Sequence, residues 1–482
     1  MITRKDTNPK NTINRIKGIL EKHSIGIVEK QHFNIRNEIF SVRIELQDIP
    51  GIGANGKGIS KEYALASAYA ELMERLQSGL LIKASFLNKE NNIAAYSDEF
   101  LLDADDFIMN YSGLIQNIFN GRSNSYLDSF FNFVKSSDMV RYCTDFYDVI
   151  NMETIALPIK MINLLAHSNG LCAGNSYEEA LNQGICEVFE RYSYKTLMLN
   201  KLKLASICHE DIEKTNSYIK LKQLSEMGYS YQVKDCSLNG KYPVVGLLVF
   251  NSEKTKYLFT MGSDPDFDIA LQRCITEMFQ GLDSDTLEIK MKDMDNGYEI
   301  RESDRDFVFS NWLKCYTSNS GVHPSSIFDD SQKTNIDALP FINNSGSNKE
   351  CLDYLISILK NNNLNIYVKN YSFLGFPTYR VYIPTLSEVD NITVEEFDLV
   401  INSRELKNTY FNLGTCKESD AANFVSLFEK VLKLYKYSDL VTPSSFFNVS
   451  PYIISDITNL NYVFILILLA FKTGNTARIN KL

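Results

Sequence analysis

The sequence has no Cys-x-x-Cys pair and no Cys/His grouping at zinc spacing, although it contains nine cysteines. This argues against a zinc ribbon or a dithiol redox motif, and each thiol reads as a small core residue. No apolar stretch is long enough to cross a bilayer. The longest, residues 463–471, falls far short of the ~20 residues a span requires and reads as a buried helix or strand. The opening Met-Ile-Thr-Arg-Lys-Asp-Thr lacks the apolar core of a secretion signal. Positive charge is in deficit, 49 Lys and Arg against 59 Asp and Glu, for a net charge of −10. A generic nucleic-acid surface should be basic, so none is expected. A basic peptide, or ATP carried with a metal, stays open. Odd cysteine count and missing signal together predict a reducing cytoplasm, with no membrane and no nucleic-acid partner.

What is present is material for a core. The 482 residues are 44% hydrophobic and include 27 Tyr and 29 Phe. Length alone allows about three domains. No low-complexity segment or clear linker divides the chain, and the reading adopted is one α/β domain over 1–415 followed by a short helical extension over 416–482.

One pattern recurs. Gly58-Ile-Ser60 leads into Ala64-Leu65, Ser67, Glu71, Glu74 and Arg75; Gly174-Asn-Ser176 leads into Ala180-Leu181, Gln183, Glu187, Glu190 and Arg191. A fainter third copy sets Ala270-Leu271, Glu277 and Gln280 at the matching places. Internal repetition of this kind is the first thing to seek in a chain. The spacing predicts three helices, near 60–78, 176–194 and 266–281. At about 100° per residue, Ser67, Glu71, Glu74 and Arg75 share roughly a third of the circumference, opposite Leu65, Tyr69, Leu72 and Leu76. A single such helix reads as an amphipathic helix with a solvated charged stripe. Three in phase do not, because surface charge has no reason to repeat with the same lead-in. The carboxylates also lack lysines at the spacing of surface ion pairs. Carboxylates gathered from several helices suit a divalent cation. Glu179 has two readings: a metal ligand, or the third member of a Ser176-x-x-Glu179 capping box.

Around these helices, Asn8-Pro9 predicts a capped helix running to about Lys22. Strands are expected near 25–28, 39–46, 154–162, 243–250, 257–261, 364–368 and 379–383, and helices near 126–134, 351–359 and 418–436. Gly51-Ile-Gly53-Ala-Asn-Gly56 has the letter of a dinucleotide fingerprint, but no acid-tipped strand follows about 20 residues on. Lys57 is followed by Gly58, so a Walker loop fails as well. These glycines are expected to turn the backbone tightly into the first motif helix. Residues 87–150 carry no legible catalytic pattern. Residues 283–347, charged and poor in aliphatics, read as a surface excursion or lid.

At its three motif helices the sequence resembles the YcaO family, whose members bind ATP and Mg2+ and phosphorylate peptide backbone amides. The family's Ser-x-x-x-Glu-x-x-Glu-Arg is present as Ser67, Glu71, Glu74 and Arg75. Its Gln-x-x-x-Glu-x-x-Glu-Arg is present as Gln183, Glu187, Glu190 and Arg191, and its Glu-x-x-Gln as Glu277 and Gln280. The resemblance implies a YcaO-type fold of repeated strand–helix units with approximate symmetry between the first two motifs. It implies nucleotide contacts at Lys5, Thr12, Ser67, Glu71, Arg75, Asn175, Gln183, Arg191 and Gln280. It implies Mg2+ ligands at Glu71, Glu74, Glu179, Glu187 and Glu190, with Glu277 a further candidate. Arg75 and Arg191 could each offer a guanidinium to phosphate, or Arg75 could brace a carboxylate. No motif residue is a nucleophile, as expected if the substrate's own amide oxygen attacks the γ-phosphate.

The implied partners are a peptide or protein substrate and a sulfur-delivering or methylthiotransferase protein, and a homodimer is a compatible assembly. The product is open among thioamide, azoline and an accessory role in ribosomal-protein β-methylthiolation. Azoline-forming members end in a proline-rich tail, whereas the last proline here is Pro451, and the C-terminal helical-repeat region of a larger member is largely missing. Two competing readings are a nucleotide-sensing scaffold without catalysis and a hydrolase using the carboxylates without ATP.

Overall fold

A computed structural model describes residues 4–35, 39–81, 98–280, 287–295, 298–301, 305–342 and 346–390, with a few isolated positions beyond. The helix expected near 418–436, and the 415/416 boundary with its C-terminal extension, lie outside the described residues. Two compact units divide the described chain. One comprises residues up to 81, 145–155 and 166–390; the other includes 98–144 and 156–165.

The larger unit holds three sheets. The helix Pro9–Lys22, capped by the Asn8 side chain on the Lys10 amide, precedes an antiparallel sheet of Ile27–Ile35, Ile39–Leu46 and Gly53–Gly58. A second sheet runs Lys292–Asp293, Lys256–Ser263, Val244–Phe250, Ser230–Asp235, Ser206–Ile207, Lys333–Thr334. In the third, Thr378–Tyr382 lies between Leu171–Ala173 and Tyr367–Asn370, and the last pairs in turn with Tyr147 and Asp148.

Val244–Phe250 is buried along its whole length. Its side chains alternate as a strand's must. Val244, Leu248 and Phe250 join a core built on the helix Tyr177–Asn200, whose Leu181, Ile185, Cys186, Val188 and Phe189 are fully buried. Val245, Leu247 and Val249 join a second core with Ala270, Leu271, Cys274 and Ile275 of the helix Phe267–Phe279. Helices therefore cover both faces, which is the mixed α/β layering expected.

All three motif helices form, as Lys61–Gln77, Tyr177–Asn200 and Phe267–Phe279, each directly after a strand. Each has a side-chain N-cap. Ser60 accepts from Tyr63 N, Ser176 from Glu179 N, and Asp266 from Asp268 N and Ile269 N. The contact between strand and helix also repeats. A Cβ on Gly56 would lie 2.8 Å from that of Ala68; a Cβ on Gly184 would lie 2.8 Å from the Cys172 sulfur; a Cβ on Gly262 would lie 3.0 Å from the Cys274 sulfur. The three pairs have the same separation in sequence, and in each pair at least one member is glycine.

Three expectations are corrected. The Gly51–Gly56 stretch is not a tight turn into the helix: only Gly51 sits in a turn with positive φ, and Gly53–Gly58 is a strand that a helix presses against. Residues 154–162 are not one strand. Glu153–Leu157 is extended, and beyond Pro158 the chain is helical as Ile159–Ala166, since proline fits a first helical turn but not a central strand. The described residues of the 283–347 stretch are not a surface excursion. The helix Arg305–Ser318 carries Trp312 and Cys315 into the core, and Ile327 and His323 are buried too.

In the smaller unit the helices Ala104–Ile118 and Asn124–Ser136 pack through aromatic rings. Phe119 meets Tyr126 and Phe130 at centroid distances of 5.2 and 5.0 Å. Tyr111 Oη donates to the Ala156 carbonyl at 2.8 Å, and Lys160 pairs with Glu99 at 2.7 Å.

Candidate functional site

Motif helices one and two bring their acids within reach of one another. On the second, Glu179, Gln183, Glu187 and Glu190 follow the same stripe, by the rotation of about 100° per residue. Burial raises the Glu74 carboxyl well above its ordinary range, and the charges of Glu187 and Glu71 add to the shift against relief from Arg75 and Arg380. Glu187 is pushed up to about 7, first by burial and then by Glu190 and Glu71, against relief from Arg191 and Lys57. Glu71 is raised by burial, with Arg75, Lys57 and Arg43 opposing. Buried like charges raise one another in this way when no cation sits between them.

The chain's own cations answer part of that charge. Arg75 pairs with Glu71, so in this structure it braces a carboxylate. Arg191 stands 3.8 Å from Glu190 and lies over the Tyr316 ring at 5.5 Å. Lys57 pairs with Glu277 and feels both Glu190 and Glu71; burial pulls its ammonium down to about 8. Gln280 ends the third motif helix and donates to the Asn55 carbonyl at 3.4 Å. Among the described residues no three His, Cys, Asp or Glu side chains gather closely enough to hold a metal ion as they stand. The donor chemistry nevertheless fits Mg2+: hard carboxylate oxygens, three of them raised by burial and two of those further by neighbouring carboxylates.

A second group lies at the start of motif helix two. Glu179 accepts from Lys5 Nζ and from the Asp6 amide, both at 3.0 Å, and from Asn175 Nδ2. Thr12 Oγ1 donates to Asn175 Oδ1 at 2.8 Å. Only half of the capping box forms, the Glu179 amide on Ser176; the Glu179 carboxylate turns to Lys5 and Asp6 instead. Lys5, Thr12, Asn175 and Glu179 are thus one hydrogen-bonded set. Gln183, half-buried, lies one turn along between this set and Glu187, and Ser67 lies one turn before Glu71.

Three site residues escaped the sequence reading. Lys57 fails as a Walker lysine and lies in the Asn55-Gly-Lys57-Gly58 stretch that resembles the family, yet no role attached to it, although its place directly before Gly58 puts it at the entrance of motif helix one. Tyr316 was hidden in a segment read as an excursion. Arg380 lies in Tyr379-Arg380-Val381, a stretch over which the resemblance continues weakly, but nothing in the sequence attaches a role to it.

The chain matches the family described as YcaO cyclodehydratase, ATP- and Mg2+-binding, over residues 55–387. The chain belongs to the YcaO family. Over 442 residues it is 27% identical to the ribosomal protein S12 methylthiotransferase accessory factor YcaO of Escherichia coli, covering 89% of this chain and 73% of that one. Over 402 residues it is 26% identical to an uncharacterized protein of Haemophilus influenzae, covering 80% of this chain and 66% of that one. Two solved structures share the fold. YcaO from Methanopyrus kandleri bound with AMPPCP and Mg2+ superposes with a TM-score of 0.51 at 16% identity, covering 81% of this chain and 96% of that one. A heterocyclase in complex with substrate and cofactor does so with a TM-score of 0.55 at 14% identity, covering 80% and 54%. The chain thus spans about two thirds of the Haemophilus relative and about half of the heterocyclase.

The YcaO-type fold expected from the motifs is the fold observed, and the family's cofactors are the expected ATP and Mg2+. Among the described residues no helix is long and apolar enough to cross a membrane.

Proposed function

We propose that this chain uses Mg-ATP to phosphorylate a backbone amide oxygen of a peptide or protein. The amide oxygen attacks the γ-phosphorus and ADP leaves. A second nucleophile then adds to the amide carbon, and inorganic phosphate departs with the former amide oxygen. The observation that carries this reading is the set Glu71, Glu74, Glu187 and Glu190, acids gathered from two helices; burial raises the first three, and neighbouring carboxylates add to the shifts of Glu74 and Glu187.

In this reading Glu71, Glu74, Glu187 and Glu190 hold Mg2+, with Glu277 and Glu179 further ligands if Lys57 and Lys5 release them. Bound Mg2+ would neutralise phosphate charge, which is most of what phosphoryl transfer requires. Ser67, Gln183, Gln280 and Arg191 then orient the nucleotide beside the acids, and Lys5, Thr12 and Asn175 do so at the helix start. Arg75 holds Glu71 in place. The product follows from the second nucleophile: a sulfur donor gives a thioamide, and a substrate side chain gives an azoline.

The test is phosphate release with Mg-ATP and candidate peptides. Glu71→Gln and Glu190→Gln should each abolish it, and unchanged turnover in both rejects the assignment. The name of the E. coli relative, an accessory factor, favours a second reading. There the chain binds nucleotide and assists a partner modification enzyme, so peptide would not stimulate phosphate release.

A further inference from the structure

Arg380 is a buried arginine, 2% exposed, at the centre of the strand Thr378–Tyr382. Its neighbours in the strand fix the direction it faces. Tyr379 meets the Tyr177 ring edge-on at 5.2 Å, and a Cβ on Gly184 would lie 2.9 Å from Val381 Cγ2, so these two lie toward motif helix two. Thr378 accepts from Gln77 Nε2 at 2.6 Å, which places the other face of the strand against motif helix one. Residues two apart on a strand share a face, so Arg380 projects with Thr378. Gln77 and Glu74 are three apart on their helix and share a side. Arg380 therefore faces Glu74, and its charge acts on both Glu74 and Tyr316.

The hydrogen bonds of Arg380 are unfinished. Nη2 donates to the His167 carbonyl at 2.8 Å, while Nε and Nη1 are buried with no partner. A guanidinium has five N–H donors, and a buried one with most of them unspent is costly. Propping the His167 carbonyl uses only one. The Arg380 charge stands beside a proposed Mg2+ ligand, and Mg2+ is commonly held by one or two carboxylates together with substrate phosphates.

We propose that Arg380 is a phosphate-binding residue that takes the terminal phosphate of the nucleotide through its unspent N–H groups. This rests on the reading of the site as an Mg-nucleotide site. Tetrahedral phosphate offers several oxygens to a cation that has several donors left, and such charge-assisted bonds are the strong ones.

The experiment is calorimetric binding of Mg-AMPPCP and Mg-ADP to the full chain and to Arg380→Gln and Arg380→Lys. The parent should bind both. Arg380→Gln should weaken AMPPCP about tenfold or more, the equivalent of one charge-assisted contact, and leave ADP within about twofold. Arg380→Lys, which keeps the charge but not the spread of donors, should fall between. An equal loss for both nucleotides, or no loss, overturns the role of Arg380 while leaving the site intact. If Arg380→Gln does not fold, the same comparison on Arg380→Lys decides. A parent chain that binds neither nucleotide overturns the reading of the whole site, and this inference with it.

Discussion

Cys172 and Gly184 fit one another where the second motif's strand meets its helix: a Cβ on Gly184 would lie 2.8 Å from the Cys172 sulfur. The equivalent positions are Gly56 with Ala68 and Gly262 with Cys274. Bulk has moved between strand and helix from one motif to the next, and the closeness has been kept. That closeness seats each motif helix on its strand. Gly184→Ala should therefore destabilise the chain by about 1–3 kcal/mol through overpacking, despite the ~1 kcal/mol that alanine gains in a helix. Adding Cys172→Gly recreates the Gly56/Ala68 arrangement and should recover part of the loss. Recovery is incomplete because Val381 Cγ2 is also close, at 2.9 Å. Denaturant midpoints of the two single variants and the double variant measure the coupling, and strictly additive effects would reject this account.

The motif helices were legible because their signals are local. Ser176 caps its helix as the capping-box pattern predicts and Asn8-Pro9 starts its helix as expected, while Ser60 and Asp266 prove to be the caps at the expected starts of the other two. The strand Gly53–Gly58 was not legible, because Gly-Ala-Asn-Gly-Lys-Gly has no apolar alternation; its burial comes from a helix pressing on bare backbone. Trp312 and Cys315 were missed because the core is filled there by an indole and a thiol in a segment poor in aliphatics. The acids of the site were legible through repetition, whereas Lys57 and Arg380 come from strands, where a single basic residue forms no pattern. Arg380 reaches its place only through pairing of Thr378–Tyr382 with Leu171–Ala173, a contact between distant parts of the chain that composition and period do not encode.

Arg4 ties the N-terminal segment to the third motif. Its guanidinium lies 2.8 Å from Asp264 Oδ1 and 3.8 Å from Asp266, and Arg273 takes the other Asp264 oxygen at 3.2 Å. Burial pushes the Asp264 carboxyl up, and Arg273 and Arg4 hold it down. Removing one partner of a buried ion pair leaves an uncompensated charge, so Arg4→Ala should destabilise by about 2–4 kcal/mol. In an Asp264→Asn background the same substitution should have a much smaller effect. Thermal unfolding of the four chains reads this directly; an equal loss in both backgrounds would show that Arg4 acts through packing alone.

His323 makes the fold sensitive to acid. Its ring is fully buried between Tyr194, whose hydroxyl lies 2.6 Å from Nε2, and Tyr257, whose hydroxyl lies 3.0 Å from Nδ1. Burial holds its pKa well below the ordinary histidine value, and nearby Lys292 adds to the shift. The unfolded chain therefore takes up a proton at this residue below about pH 6.5 while the folded chain does not. The stability that neutral His323 contributes is complete above that pH and is lost as pH falls, at up to about 1.4 kcal/mol per pH unit. His323→Gln cannot titrate there. It should be less stable than the parent at pH 7.5, because the imidazole contacts to Tyr194 and Tyr257 are lost while the backbone amide of residue 323 keeps its bond to the Tyr257 hydroxyl, yet its stability should fall less steeply between pH 6.5 and 5.5. Urea unfolding across that window compares the slopes. Parallel slopes would mean that the buried ring is already protonated, or that the site opens to solvent before it titrates.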